Sequence, residues 1–100
     1  MKSNSNVLRT ISMARLEDKG AQTLTLPGGK VCILTVRMLD GTPCLWFETD
    51  VSGAPGTSVD VYILDTGVTS PHIMDALYVG TVEDGGRIRH VFVFGAPVRR

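Results

Sequence analysis

One hundred residues make a single domain, and a chain of that size buries somewhat over ~60% of its unfolded surface, enough for one modest core. An apolar share of 43% against 20% charged residues excludes general disorder, and no apolar run reaches the ~20 residues of a membrane-spanning helix. The net charge is zero but unevenly placed: residues 1–37 hold six basic and two acidic side chains, 38–86 eight acidic and no basic, and 87–100 four arginines. Pairing the terminal strands with each other would set a basic face against an acidic one.

The opening MKSNSNVLRT has too short an apolar stretch, and no small-residue cleavage site, for a signal peptide, so a cytoplasmic location is expected. Residues 1–6 read as a flexible polar tail. In residues 7–16, strand alternation sets Val7, Arg9, Ile11, Met13 and Arg15 on one face and Leu8, Thr10, Ser12, Ala14 and Leu16 on the other. Thr, Ile and Val, with no clear cap, weigh against a helix there. After a turn at 17–20, residues 22–26 alternate with Leu24 and Leu26 inward, then meet a Pro27-Gly28-Gly29 turn.

Residues 30–50, KVCILTVRMLDGTPCLWFETD, are the centre of the pattern. Two β-rich runs flank Asp40-Gly41, a strong hairpin signal because glycine reaches positive φ without steric cost. Alternation groups Cys32, Leu34, Val36 and Met38 on one face and Val31, Ile33, Thr35 and Arg37 on the other. Pro43 suits a strand start, and Leu45, Trp46 and Phe47 in succession predict a strand covered on both sides. The register from this turn opposes Arg37 to Cys44 and Cys32 to Thr49. The thiols then lie roughly 16 Å apart at ~3.3 Å per residue. A disulfide needs Cα atoms within about 7 Å, so free, buried thiols are predicted.

Residues 50–57 read as a mobile loop and 58–64 as a strand. Residues 65–75, DTGVTSPHIMD, make a longer connection with room for one helical turn after Pro71. Strands at 77–82 and 88–94 flank an Asp84-Gly85-Gly86 turn, and 95–100 form a tail. This spacing predicts one all-β domain over residues 7–94, an antiparallel sandwich or partly open barrel of about six to seven strands.

Candidate chemistry is sparse. His90 shares the alternation class of Ile88, Phe92 and Phe94, while Arg89 falls in the other, so the aromatics are expected inside. The two cysteines and two histidines show no CxxC or HxxxH spacing, which argues against a metal site. Gly28-Gly29 and Gly85-Gly86 lead into no long helix and read as turns rather than phosphate cradles. With no GxSxG, HExxH or P-loop pattern, the expectation is a non-enzyme without cofactors. A basic and aromatic surface from Arg87, Arg89, Arg99 and Arg100 with Phe92 and Phe94 is conceivable. The pI near 6.7 disfavours direct nucleic-acid binding by it.

Ile33-Leu34-Thr35-Val36, Gly41-Thr42-Pro43-Cys44-Leu45-Trp46, Thr66-Gly67, Tyr78-Val79-Gly80-Thr81-Val82, Gly85-Gly86 and His90-Val91-Phe92 follow in that order. With the lead-in at 24–27, the set resembles a family of short tailed-bacteriophage proteins of uncharacterised function over roughly residues 7–94. Two departures stand out. Family members commonly carry an aromatic near the position of Arg89, and a histidine directly after the Thr-Gly pair, where this chain has Val68. The resemblance implies a phage origin and the host cytoplasm, and supplies no activity.

A small phage-type domain with an unbroken acidic middle is expected to bind and block a host protein or complex, such as a CRISPR or other defence effector. Its carboxylates would sit where phosphates otherwise would. The candidate partner-binding residues are Asp50, Asp60, Asp65, Asp75, Arg37, Arg89 and His72. One alternative is a sponge for a small nucleotide-like signal, held by Arg37, Arg89 and the 50–57 loop. Another is a virion assembly component whose open β edges drive a symmetric homo-oligomer.

Overall fold

Asp40 and Gly41 have φ of +53° and +77°. Two successive left-handed residues define a type I′ turn, whose twist matches that of the flanking strands. The turn joins β3 (Cys32–Leu39) to β4 (Thr42–Asp50) and opposes Leu39 to Thr42 and Arg37 to Cys44, as the sequence predicts. β1 (Arg9–Arg15) pairs with the far side of β4, giving sheet A the order β1-β4-β3. Gly85-Gly86 repeats the two-residue turn between β6 (Leu77–Asp84) and β7 (Arg87–Phe94). These strands join β2 (Ala21–Leu26) and β5 (Thr57–Asp65) in sheet B, ordered β2-β5-β7-β6. All strand pairs are antiparallel. The structure, a computed structural model, describes residues 8–51 and 55–99, and among them forms an all-β sandwich whose sheets do not close into a barrel.

The core lies between the sheets. Ile33, Val36, Leu45 and Phe47 from sheet A meet Leu26, Val59, Val61, Val91 and Val93 from sheet B. Full burial of each such side chain contributes ~1.5–3 kcal/mol. At the β2–β3 crossover Gly28 adopts φ +86°, and a Cβ there would press on Thr49 Oγ1 and on Asp50 O at 2.5 Å. The Thr49 hydroxyl donates to Pro27 O at 2.8 Å, tying the crossover to β4.

Several expectations are corrected. Register in β3 jumps between Ile33, opposite Phe47, and Thr35, opposite Trp46. This β-bulge inserts an unpaired residue, Leu34, and reverses the alternation. Ile33 before it and Val36 after it are both inward, at 0% and 5% exposure, so Cys32 and Leu34 do not share the Val36 face. The bulge also opposes Cys32 to Glu48 rather than Thr49. Both thiols are free, and Cys44 lies four residues from Glu48 along β4, about 13 Å at ~3.3 Å per residue.

In β7 the expected orientation is inverted. Val91 and Val93 point inward at 0% exposure, while Phe94 is 53% exposed on the outside. In this strand the β-branched valines fill the gap between sheets, and the rings of Phe92 and Phe94 lie across the outer surface. The terminal strands β1 and β7 belong to different sheets and do not pair. Residues 71–75 form a hydrogen-bonded turn, Asp75 N to His72 O at 3.3 Å, in place of a helical turn. Beyond β7, Val98 bridges to Ile33 in parallel, with Ile33 N donating to Pro97 O and Arg99 N to Ile33 O, both at 2.8 Å. The expected tail at 1–6 and residues 52–54 of the expected mobile loop lie outside the described residues, while the ends of that 50–57 loop, Asp50 and Thr57, belong to β4 and β5.

Candidate functional site

Sheet B turns its aromatic residues outward. In register across β5, β7 and β6, Tyr62 opposes Phe92 and Phe92 opposes Tyr78. Tyr78 and Phe92 meet edge to face, with centroids 5.5 Å apart. One row along β5, Asp60 opposes Phe94, and its carboxylate accepts from the Thr23 hydroxyl at 2.7 Å. The 71–75 turn lays His72 flat on Tyr62, with centroids 4.9 Å apart and rings 8° from parallel. Asp60, Tyr62, Pro71, His72, Asp75 and Phe94 line an open depression of about 220 Å³. The outward rows of sheet B carry Asp60 and Glu83 and no lysine or arginine.

Beside the aromatic row runs a hydrogen-bonded chain. Tyr78 Oη contacts Thr81 Oγ1 at 2.5 Å, and Thr81 Oγ1 contacts His90 Nδ1 at 3.0 Å. His90 Nε2 meets the Thr66 hydroxyl at 2.7 Å. Hydroxyls on both ring nitrogens fix the orientation of His90. Sequence reasoning missed Tyr62, Tyr78, Thr66 and Thr81. The resemblance motifs held Thr66, Tyr78, Thr81 and His90, but no spacing in the sequence showed that they meet.

Of the sequence-predicted residues, Asp60, Asp75 and His72 come together at this depression. The others do not join them. Asp50 is buried at 7% exposure, with its carboxylate accepting from Gly29 N at 3.2 Å. Arg37 is exposed on the opposite face of the sandwich, in sheet A.

Arg89 is interior, at 2% exposure, where the sequence reading set it on a binding surface. It belongs to the inward class of β7 with Val91 and Val93. Its guanidinium donates to Asp18 at 2.7 Å and lies 3.6 Å from Asp84, while Nε has no partner among the described residues. Arg87 joins the same cluster, 3.3 Å from Asp65 and 3.5 Å from Asp18. The negative charge and hydrogen bond of Asp65, with Asp18 adding, raise the Arg87 pKa, so it stays charged. This network closes one end of the sandwich and occupies Asp65. The nucleotide sponge built on Arg37, Arg89 and the 50–57 loop is therefore not assembled: the two arginines lie on different sheets, one buried.

The conceivable basic and aromatic surface is also split. Arg87 and Arg89 stand in the ion-pair network, Phe92 and Phe94 on the acidic face, and Arg99 against Glu48. Arg100 lies outside the described residues. Among the described residues no group of three or more His, Cys, Asp or Glu side chains is placed to hold a metal ion, and no helix is long and apolar enough to cross a membrane.

Comparison with curated proteins finds no match, and neither does comparison with solved structures. A family model described as a domain of unknown function, DUF7352, matches residues 8–98, nearly the whole sandwich, and the chain belongs to that family.

Proposed function

We propose that this protein is a non-enzymatic binding module that lays the outer face of sheet B on a basic surface of a host protein and blocks it. One observation carries the reading: exposed Tyr78 and Phe94, with half-buried Tyr62 and Phe92, share a face with Asp60, Asp75 and Glu83 and with no lysine or arginine. Rigid aromatic side chains are the commonest anchors of protein interfaces. Carboxylates at their rim match a surface rich in lysine and arginine and steer the encounter. Such a surface is the kind that otherwise holds nucleic-acid phosphates. The resemblance to tailed-phage proteins supplies the setting, a host defence effector such as a CRISPR complex.

The test begins with capture of tagged protein from host lysate at moderate salt, followed by purification of the dominant partner. Its affinity is then compared between wild type, Asp60→Lys/Asp75→Lys and Phe94→Ala. Loss of ~2 kcal/mol or more in the aromatic variant, about thirtyfold, is expected of an interface anchor. The acidic variant should bind weakly and lose its salt dependence. Equal affinity for all three would overturn the assignment of this face.

A further inference from the structure

The outer face of sheet A is the chemical opposite of sheet B. In register across β1, β4 and β3, Arg15, Cys44 and Arg37 form one row, and Met13, Trp46 and Thr35 the next. Ile11, Glu48 and Cys32 follow, with Arg9 opposite Asp50 at the end. Arg15 and Arg37 reach out on either side of a short cysteine, and neither has an ion-pair partner among the described residues. At the other end, Arg9 contacts Glu48 at 3.2 Å and Arg99 contacts its second oxygen, so two cations bracket one carboxylate. Between these basic ends sits half-buried Trp46, the only tryptophan, whose buried indole N–H finds no acceptor among the described residues. Around the Ile11–Glu48 row lies an open cavity of about 580 Å³ lined by Arg9, Thr10, Ile11, Leu34, Glu48 and Arg99.

We propose that this face binds single-stranded nucleic acid running along β4, with a base stacked at Trp46 and phosphates held by Arg15 and Arg37 at one end and by Arg9 and Arg99 at the other. Single-strand binders combine a cationic track with an aromatic platform, because every unstacked base offers a π-face. The basic ends span Cys44 to Glu48, about 13 Å at ~3.3 Å per residue, more than one phosphate would occupy. A duplex hides its bases from such a platform. Zero net charge is no obstacle, because the acids of sheet B lie on the other side of the sandwich, beyond most of the ~8–10 Å screening length. The site uses none of the residues assigned to the partner-binding face.

The single tryptophan makes the test direct. Titration with an oligothymidylate of about 12 nucleotides, within the ~4–16 bound by comparable platforms, should quench Trp46 fluorescence to saturation. Two to four phosphate contacts give a slope of log K against log salt of about −1.4 to −2.8. Arg15→Glu/Arg37→Glu should bind at least tenfold more weakly, with a slope shallower by about 1.4. Arg37→Glu alone, at an exposed position, repeats the test with less risk to folding, which circular dichroism checks. Unchanged affinity in these variants, no quenching at low salt, or equal binding of the matching duplex or of thymidine monophosphate would each overturn the proposal. Asp60→Lys/Asp75→Lys should keep full oligonucleotide binding, so failure here and failure of the sheet B reading are told apart.

Discussion

Replacing Arg89 with methionine should leave the protein as stable as before or make it more so. The Arg89 side chain is 3% exposed, whereas its partners Asp18 and Asp84 are 67% and 43% exposed. The guanidinium therefore carries the full cost of leaving water, several kcal/mol, while its attraction to solvated carboxylates is screened. Its contact with Asp18 at 2.7 Å is charge-assisted and contributes ~1.5–3 kcal/mol, but Nε has no partner among the described residues. Methionine keeps the packing volume and removes the buried charge, a change that in comparable cases is neutral or stabilising by ~1–4 kcal/mol. Asp18→Asn with Arg89 present should cost about 2 kcal/mol, because the buried cation is left with Asp84 alone. With Met at position 89 the same change should cost under ~1 kcal/mol. Urea unfolding followed by Trp46 fluorescence gives the free energies. Thermal melts should move ~4–8 °C per kcal/mol in a domain of this size. A loss above ~2 kcal/mol in Arg89→Met would refute the argument and make the ion network a net source of stability.

Other outcomes follow from the packing. Gly28→Ala should cost about 3 kcal/mol or more, from left-handed strain of ~1–2 kcal/mol, the lost Thr49 hydrogen bond and contact with Asp50 O; a melt within 2 °C of wild type would contradict the crossover geometry. Phe47→Ala, at 1% exposure, should lose ~3–5 kcal/mol in urea. A thiol reagent should label Cys32 in the native state and Cys44, at 0% exposure, only as fast as the chain opens. Oxidation should yield no intramolecular disulfide on mass spectrometry, given a separation of about 13 Å against a limit of about 7 Å.

Strand positions were legible because turn chemistry is local. Asp40-Gly41 and Gly85-Gly86 each declare a two-residue turn, and the register of Arg37 against Cys44 follows from the first. Which face of a strand looks inward was less legible, for two separate reasons. The bulge at Leu34 depends on fitting β3 against β4 and the other sheet, and no residue near it announces an extra position. In β7 both alternation classes are apolar over residues 91–94, so hydrophobicity alone cannot choose between valine and phenylalanine. The candidate site inherits this: Asp60, Asp75 and His72 were found through charge and loop position, but Phe94, which lines the same depression, was expected in the core and Tyr62 was not singled out. Arg89 shows the converse error, since a buried guanidinium is exceptional among interior side chains.

The order of sheet B bears on how the chain comes to be folded. β7, which follows all the other described strands in the chain, lies between β5 and β6, and residues 97–99 then return to Ile33 in sheet A. A ribosome that has delivered residues 1–86 has supplied every other strand, yet β6 has no neighbour in its sheet and β5 has only β2. Sheet A can assemble earlier from β1, β3 and β4, with its inner face open to water. Folding that proceeds stepwise along the chain, the usual course during synthesis, therefore cannot complete sheet B before β7 is available to join β5 and β6. Truncation before β7 should yield an aggregating chain rather than a smaller domain, because β6 and β5 then lose their shared neighbour.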